Sequence, residues 1–207
     1  MEDVLDLYAE PYKPWQPVVC VDERPCQLVA DTLEPLPRQP GRAKRVDYEY
    51  ERRGVCNTFM VFQPLAGWRE VKVTARRTKH DFAQLMRDLV EVHFPHAEKI
   101  RVVLDNLNTH SLASLYEVFP PAEARRLVSK LELHYTPKHA SWLNMAEIEF
   151  SVMVGQCLNR RIPDQTTLTT ELAAYTARRN RDQATVRWLF DVQQARTKLG
   201  RLYPQLS

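Results

Sequence analysis

The sequence predicts an α/β domain, a five-stranded mixed sheet flanked by helices, and three observations carry that prediction. Short apolar runs rich in β-branched residues recur, residues 100–104 (IRVVL) being the clearest. Segments of helical period lie between them, as in Phe82, Leu85, Met86, Leu89 and His93. Strand-like and helix-like segments alternate along the chain, the order that lays helices over a sheet. A length of 207 residues with 44% hydrophobic content suits one globular core.

Taken in order, residues 1–16 are expected to be an irregular lead-in, because Pro11 and Pro14 break any helix. Val18 to Val21 is the first strand, expected to stop at Asp22. Residues 31–45 hold Pro35, Pro37, Pro40 and Gly41 and predict a long, mobile loop. Residues 55–62 and 70–75 are β-rich and flank a turn at Pro64 to Gly67, which predicts a hairpin. Thr78 and Asp81 make a capping-box-like start to a helix ending near Phe94, with His93 packed at the core edge and Pro95 closing it. After the strand at 100–104, residues 111–130 predict two short helices broken at Pro120 and Pro121. Leu131, Leu133 and Tyr135 alternate with Glu132, His134 and Thr136, which is strand period, and Pro137 ends that strand. Helices are predicted over 143–158, 164–181 and 193–202. The expected organisation is the lead-in over 1–16, a core over 17–158, and a helical extension of the same domain over 159–207.

Composition narrows the function classes. No run approaches the ~20 apolar residues of a membrane span, and the acidic N-terminus lacks an apolar signal core, so neither a membrane partner nor secretion is expected. Cys20, Cys26, Cys56 and Cys157 form no CxxC pair, and no His pair sits at zinc spacing; reduced, buried thiols in a cytoplasmic protein are expected. The net charge of +3 is mild, but basic residues cluster, as at Arg42, Lys44 and Arg45 and at Arg76, Arg77 and Lys79. Each cluster alone reads as a solvated face; several around one acidic cleft would suit a polyanion such as DNA.

Three acids sit where such a cleft would form. Asp105 follows the apolar strand at 100–104 and precedes the turn-forming Asn106, Asn108 and Thr109. A carboxylate at the mouth of an apolar strand is costly unless something pairs with it, and a metal ion is one such partner. Residues 17–23 (PVVCVDE) repeat the pattern at Asp22, and residues 141–147 open a helix that carries Glu147. Singly, each has a plain explanation as a turn or cap residue; together they suit a divalent metal and phosphoryl transfer. Glu23 is a backup ligand candidate of less weight, since strand alternation points it away from Asp22. On the last helix, at about 100° per residue, Leu143, Ala146, Phe150, Met153, Val154 and Cys157 predict a buried stripe that contains Glu147 and leaves Glu149 as a solvated charge.

The stretches VVCVDE, VVLDNLNTH, HYTPKHASWLNMAEIE and TKLGRLYP resemble the insertion sequence 630 branch of the mariner superfamily of DDE transposases, over a region running from about residue 10 to the C-terminus. That resemblance implies a ribonuclease H-like fold and metal-dependent phosphodiester cleavage and strand transfer at insertion-sequence ends. It implies Asp22, Asp105 and Glu147 as the catalytic, metal-binding triad, holding two Mg²⁺ (or Mn²⁺) ions that clamp a scissile phosphate for in-line displacement. Asn106 and His110 match the family's motif after the second acid and are read as accessory; His110 orients a phosphate or water, or is a helix-surface histidine. Lys138 and His139 are candidate DNA-backbone contacts, as are Arg76, Arg77 and Lys79, while Trp142 stacks on a base or, the favoured reading, packs at the helix start. The partners implied are double-stranded DNA (element ends and a TA target), a second copy of the chain, and a separate helix-turn-helix chain. That last partner follows from a departure: the family carries a helix-turn-helix ahead of its catalytic domain, and here it is expected to be absent, as in a split or truncated transposase. A second departure is a longer gap between Asp105 and Glu147 than mariner relatives usually have, assigned to the helical segment 111–130. The alternative is a catalytically idle remnant that regulates by binding DNA or dimerising; all three acids being present favours the enzyme.

Overall fold

A computed structural model describes residues 1–203 apart from 38, 44, 46, 108, 109 and 139. Five strands make one sheet: β1 (Val18–Asp31), β2 (Tyr50–Gln63), β3 (Trp68–Thr74), β4 (Ile100–Leu104) and β5 (Leu131–Tyr135), in the order β3-β2-β1-β4-β5. β1, β2 and β3 pair antiparallel, whereas β1, β4 and β5 run parallel, so the sheet is mixed as expected. The hairpin turn between β2 and β3 needs Gly67: its φ is +64°, and a Cβ there would lie 2.5 Å from the backbone of Gln183.

Alternation along the strands divides the core into two layers. Val19, Val21, Phe59, Val61, Val102 and Leu104 face one side. There they meet α2 (Lys79–Asp88), α3 (Ala113–Val118) and α4 (Pro121–Lys130) through Phe82, Leu85, Leu115 and Leu127. Val18, Cys20, Met60, Phe62 and Val103 face the other side. That side is covered by α1 (Glu2–Ala9), α5 (Met145–Met153), α6 (Gln165–Arg181) and α7 (Val192–Lys198). The start of α2 is the capping box that the sequence indicated: the Thr78 N–H donates to Asp81 Oδ2 (2.8 Å) and the Asp81 N–H donates to Thr78 Oγ1 (3.3 Å). His93 sits in a widened last turn at Leu89–His93, its ring 4.9 Å from that of Trp68.

Two expectations are corrected. The lead-in is not irregular: residues 2–9 form α1, which buries Val4, Leu5 and Leu7 and ties Glu2 to Arg196 of α7 by paired 2.7 Å hydrogen bonds. Pro11 and Pro14 lie beyond α1, so they bound it and do not prevent it. Strand β1 does not stop at Asp22. It pairs with β4 only over Val18 to Cys20, but with β2 as far as Asp31. The apolar run ends where two-sided burial ends, and the polar remainder continues as a two-stranded ribbon. The segment between β1 and β2 carries isolated bridges between Leu36 and Arg45 and between Gln39 and Arg42; Lys44 lies outside the described residues.

Candidate active site

The parallel pairing of β1 with β4 ends at Cys20 opposite Val103. Asp22 and Asp105 each lie two residues further on, so they stand side by side where the two strands part. Neighbouring strands are about 4.8 Å apart, close enough for both to reach one ion. Asp22 shares the face of Cys20, which is the face that α5 covers. Glu147 is in the first turn of α5, and α5 is pinned to β1 beside Asp22. Asn144, the helix cap, donates from Nδ2 to the Val21 carbonyl (2.8 Å) and accepts the Ala146 N–H at Oδ1 (3.1 Å). The Tyr8 hydroxyl donates to the Leu143 carbonyl (2.8 Å), fixing the same helix start from α1. Burial, then the negative charge of Glu147, then that of Asp105 push the Asp22 carboxyl up to about 7, against the 2.8 Å hydrogen bond it accepts from the Glu23 N–H.

Glu23 points to the opposite face, as strand alternation requires, but it is not idle. Its side chain is 2% exposed, and its Oε2 lies 2.8 Å from Nε2 of His110. Nδ1 of His110 lies 2.6 Å from Oδ1 of Asp105. His110 is therefore neither on a helix surface nor free to reach a phosphate: it is buried, with the Phe82 ring 5.0 Å away. Burial opposes charge on this imidazole, yet the hydrogen bonds to Asp105 and Glu23 outweigh it and raise its pKa to about 10. Among the described residues, Glu23, Asp105 and His110 are the trio whose ligand-type atoms all lie within 4.8 Å of one another. Because both ring nitrogens of His110 face carboxylate oxygens, neither offers a lone pair to a metal. The acids with free access to the mouth are Asp22, Asp105 and Glu147.

On α5 the expected stripe is turned. Glu147 is exposed, and Glu149 is fully buried. Met145, left off the expected stripe, is buried, and Met145, Ala146, Glu149, Phe150 and Met153 form the face turned to the core. The buried carboxylate of Glu149 is compensated. Arg69 Nε approaches its Oε1 to 3.0 Å and Arg179 its Oε2 to 2.9 Å, while the Tyr175 hydroxyl donates to it at 2.5 Å. This cluster locks α5 to α6 and β3. Glu147 keeps its position by Asp22 because it is on the open side of the helix, not because it is buried.

Asn106 and Lys138 line, with Asp105, Leu107, Thr136 and Ser141, a cavity of about 390 Å³. The Trp142 ring is stacked 6.2 Å from that of Trp188 and is 43% exposed. Arg76 is exposed; Arg77 reaches Glu23 at 3.6 Å, and Lys79 pairs with Glu117 at 2.7 Å. Both pairs involve exposed cations, so a phosphate can compete for them. His139 lies outside the described residues. Sequence reasoning missed the Asn144 tether, although an Asn just before a helical segment is a readable cap signal. It also missed the bond from Glu23 to His110, which has no local signature.

A sequence search of curated proteins gives no match. No helix among the described residues is long and apolar enough to cross a membrane. Among solved structures, the mariner Mos1 paired end complex with Mn is similar at a TM-score of 0.56 and 14% identity, over 88% of this chain and 56% of that one. The Mos1 strand transfer complex is similar at 0.58 and 12%, over 88% and 56%. A chain of the simian T-cell lymphotropic virus intasome is similar at 0.50 and 8%, over 79% and 50%. The chain thus spans little more than half the length of the Mos1 chains, and at these identities the likeness establishes the fold, which is ribonuclease H-like. The family model described as DDE superfamily endonuclease matches residues 17–169, a stretch that takes in the whole sheet and all three acids. On that extent, the chain belongs to the DDE superfamily of endonucleases.

Proposed function

We propose that this chain is the catalytic domain of a transposase of the insertion sequence 630 branch, cutting and joining phosphodiester bonds at element ends with Asp22, Asp105 and Glu147. The observation that carries this reading is the geometry of the mouth: Asp22 and Asp105 stand side by side where β1 and β4 part, and Asn144 ties the start of α5, with Glu147 in its first turn, to Val21; the upward shift of Asp22 by burial and by Glu147 agrees with it. Acids that crowd one another in this way, with only oxygen donors facing the mouth, fit a hard divalent cation such as Mg²⁺ or Mn²⁺. When bound, the metal would supply Lewis acidity that activates the attacking water or 3′-hydroxyl and stabilises the leaving oxygen. The chain's own groups do the rest. The parted strands hold Asp22 and Asp105 side by side, α5 sets Glu147 over them, and Lys138 offers positive charge near the mouth to a DNA backbone.

Single-turnover nicking of a labelled element end in Mg²⁺ or Mn²⁺ tests this, with a helix-turn-helix module supplied in trans if the isolated domain is inert. Asp22→Asn, Asp105→Asn and Glu147→Gln should each abolish nicking while remaining folded. Wild-type rates in any one of them would remove that residue from the assignment, and nicking that is indifferent to metal would remove the assignment altogether.

A further inference from the structure

The geometry points to a buried clamp: we propose that Glu23 and His110 are positioning residues that hold one oxygen of Asp105 and so present the other at the mouth shared with Asp22 and Glu147. This rests on the reading of Asp105 as a metal-binding acid and adds two residues that the reading does not contain.

Asp105 needs such a device. It follows the last residue of β4 and lies outside any strand or helix, so no ladder fixes its side chain. His110, five residues on, closes the loop back onto it. The His110 N–H donates to the Leu107 carbonyl (2.9 Å), and its carbonyl accepts the Tyr135 hydroxyl (2.7 Å). Its ring packs 5.0 Å from that of Phe82, and its side chain is 1% exposed. One ring nitrogen meets Asp105 Oδ1 at 2.6 Å, and the other meets Glu23 Oε2 at 2.8 Å. Glu23 in turn is fixed by the β1–β2 ladder opposite Phe59. The consequence is economical: Asp22 and Glu23 are neighbours on β1 that point to opposite faces. One strand therefore places Asp22 directly and Asp105 through His110. Outer partners of this kind orient metal ligands and are worth about 10–100-fold in metal affinity or activity.

A purely structural cluster would change stability and leave the affinity of the folded protein for metal alone, so metal affinity is the quantity to measure. Mn²⁺ binding is titrated by electron paramagnetic resonance on the full chain, with folding checked by metal-free melting. The proteins are the wild type, Asp105→Asn, Glu23→Gln and His110→Ala, the last with and without added imidazole. The clamp predicts that Glu23→Gln and His110→Ala weaken Mn²⁺ binding about 10–100-fold, and that imidazole filling the vacated space restores the His110→Ala affinity. Wild-type Mn²⁺ affinity in folded Glu23→Gln overturns the clamp, and Glu23→Gln decides the matter alone if His110→Ala does not fold. If Asp105→Asn binds Mn²⁺ like the wild type, the metal-binding reading of Asp105 is what has failed, and the clamp falls with it. A loss in Asp105→Asn with no loss in the other two rejects the clamp and leaves that reading standing.

Discussion

Glu149→Gln tests how α5 is held and separates the two acids of that helix. The substitution keeps the shape of the side chain and removes its charge. Arg69, fully buried, then loses its anion, and Arg179, with a side chain 18% exposed, loses it as well. Breaking a buried pair by removing one partner costs about 3–5 kcal/mol, because the other charge is left uncompensated. For a domain of this size 1 kcal/mol moves the melting temperature by roughly 2–4 °C. A drop of about 6–20 °C in metal-free thermal melting is therefore expected. The Mg²⁺-induced rise in melting temperature should survive in Glu149→Gln, since the oxygens of that residue are taken up by Arg69, Arg179 and Tyr175. It should vanish in Glu147→Gln, whose own metal-free melting temperature should equal or exceed that of the wild type, because one charge repelling Asp22 is gone. A Glu149→Gln protein that melts within ~2 °C of the wild type, against the range just derived, would show that the Arg69 and Arg179 contacts contribute nothing net. Loss of the Mg²⁺ response in Glu149→Gln alone would put the ligand on the buried face.

Three further outcomes are expected. The folded-state pKa of Asp22, about 7, lies above its ordinary value of 3.8, so the folded chain binds the extra proton between those values; metal-free stability from this group is greatest at low pH and falls as pH rises from about 4 towards 7. Mg²⁺ competes with that proton, so the Mg²⁺-induced rise in melting temperature should grow between pH 6 and pH 8 and flatten in Asp22→Asn; a pH-independent response would contradict the shift. Asn144→Ala should destabilise by about 1 kcal/mol through loss of the cap and slow nicking further by releasing α5 from the Val21 carbonyl, and nicking at the wild-type rate would show that the tether is not needed. DNA binding by this domain should fall steeply with salt and discriminate little between sequences; a gel-shift titration showing salt-insensitive preference for one terminal repeat would contradict it.

Much of the sheet was legible because its strands advertise themselves. The β-branched residues of 100–104, the alternation of 131–135 and the turn ahead of Gly67 are local signals of local structure. The placement of Asp105 at a strand end was legible for the same reason, and Asp22 at the end of an apolar run, whereas their adjacency depends on the parallel register of β1 with β4, which no short window contains. Helix α1 was missed because two prolines outweighed Val4, Leu5 and Leu7 in the reading, although the prolines stand after the helix. The error at Glu149 has a different origin. Helical periodicity locates a stripe only to within one residue's width, and a single misassigned residue, Met145, rotated it. The arginines that make burial of Glu149 tolerable lie on β3 and α6, remote in sequence. Charge compensation across elements leaves no trace in the pattern of one helix.

The adjacency of Asp22 and Glu23 makes the site depend on strand frame. A slip of β1 by one residue would turn Asp22 towards Phe82 and bring Glu23 to the mouth, undoing both roles at once. The ladder with β2 guards against this, running without interruption from Cys20 to Gln27. Its irregularity falls beyond, between Gln27 and Val29. Changes of length or composition in the segment between β1 and β2 are thus taken up at that bulge, out on the ribbon, before they can reach the acids. A single-residue deletion between Cys20 and Cys26, by contrast, falls inside the uninterrupted ladder and would exchange the faces of the residues on one side of it.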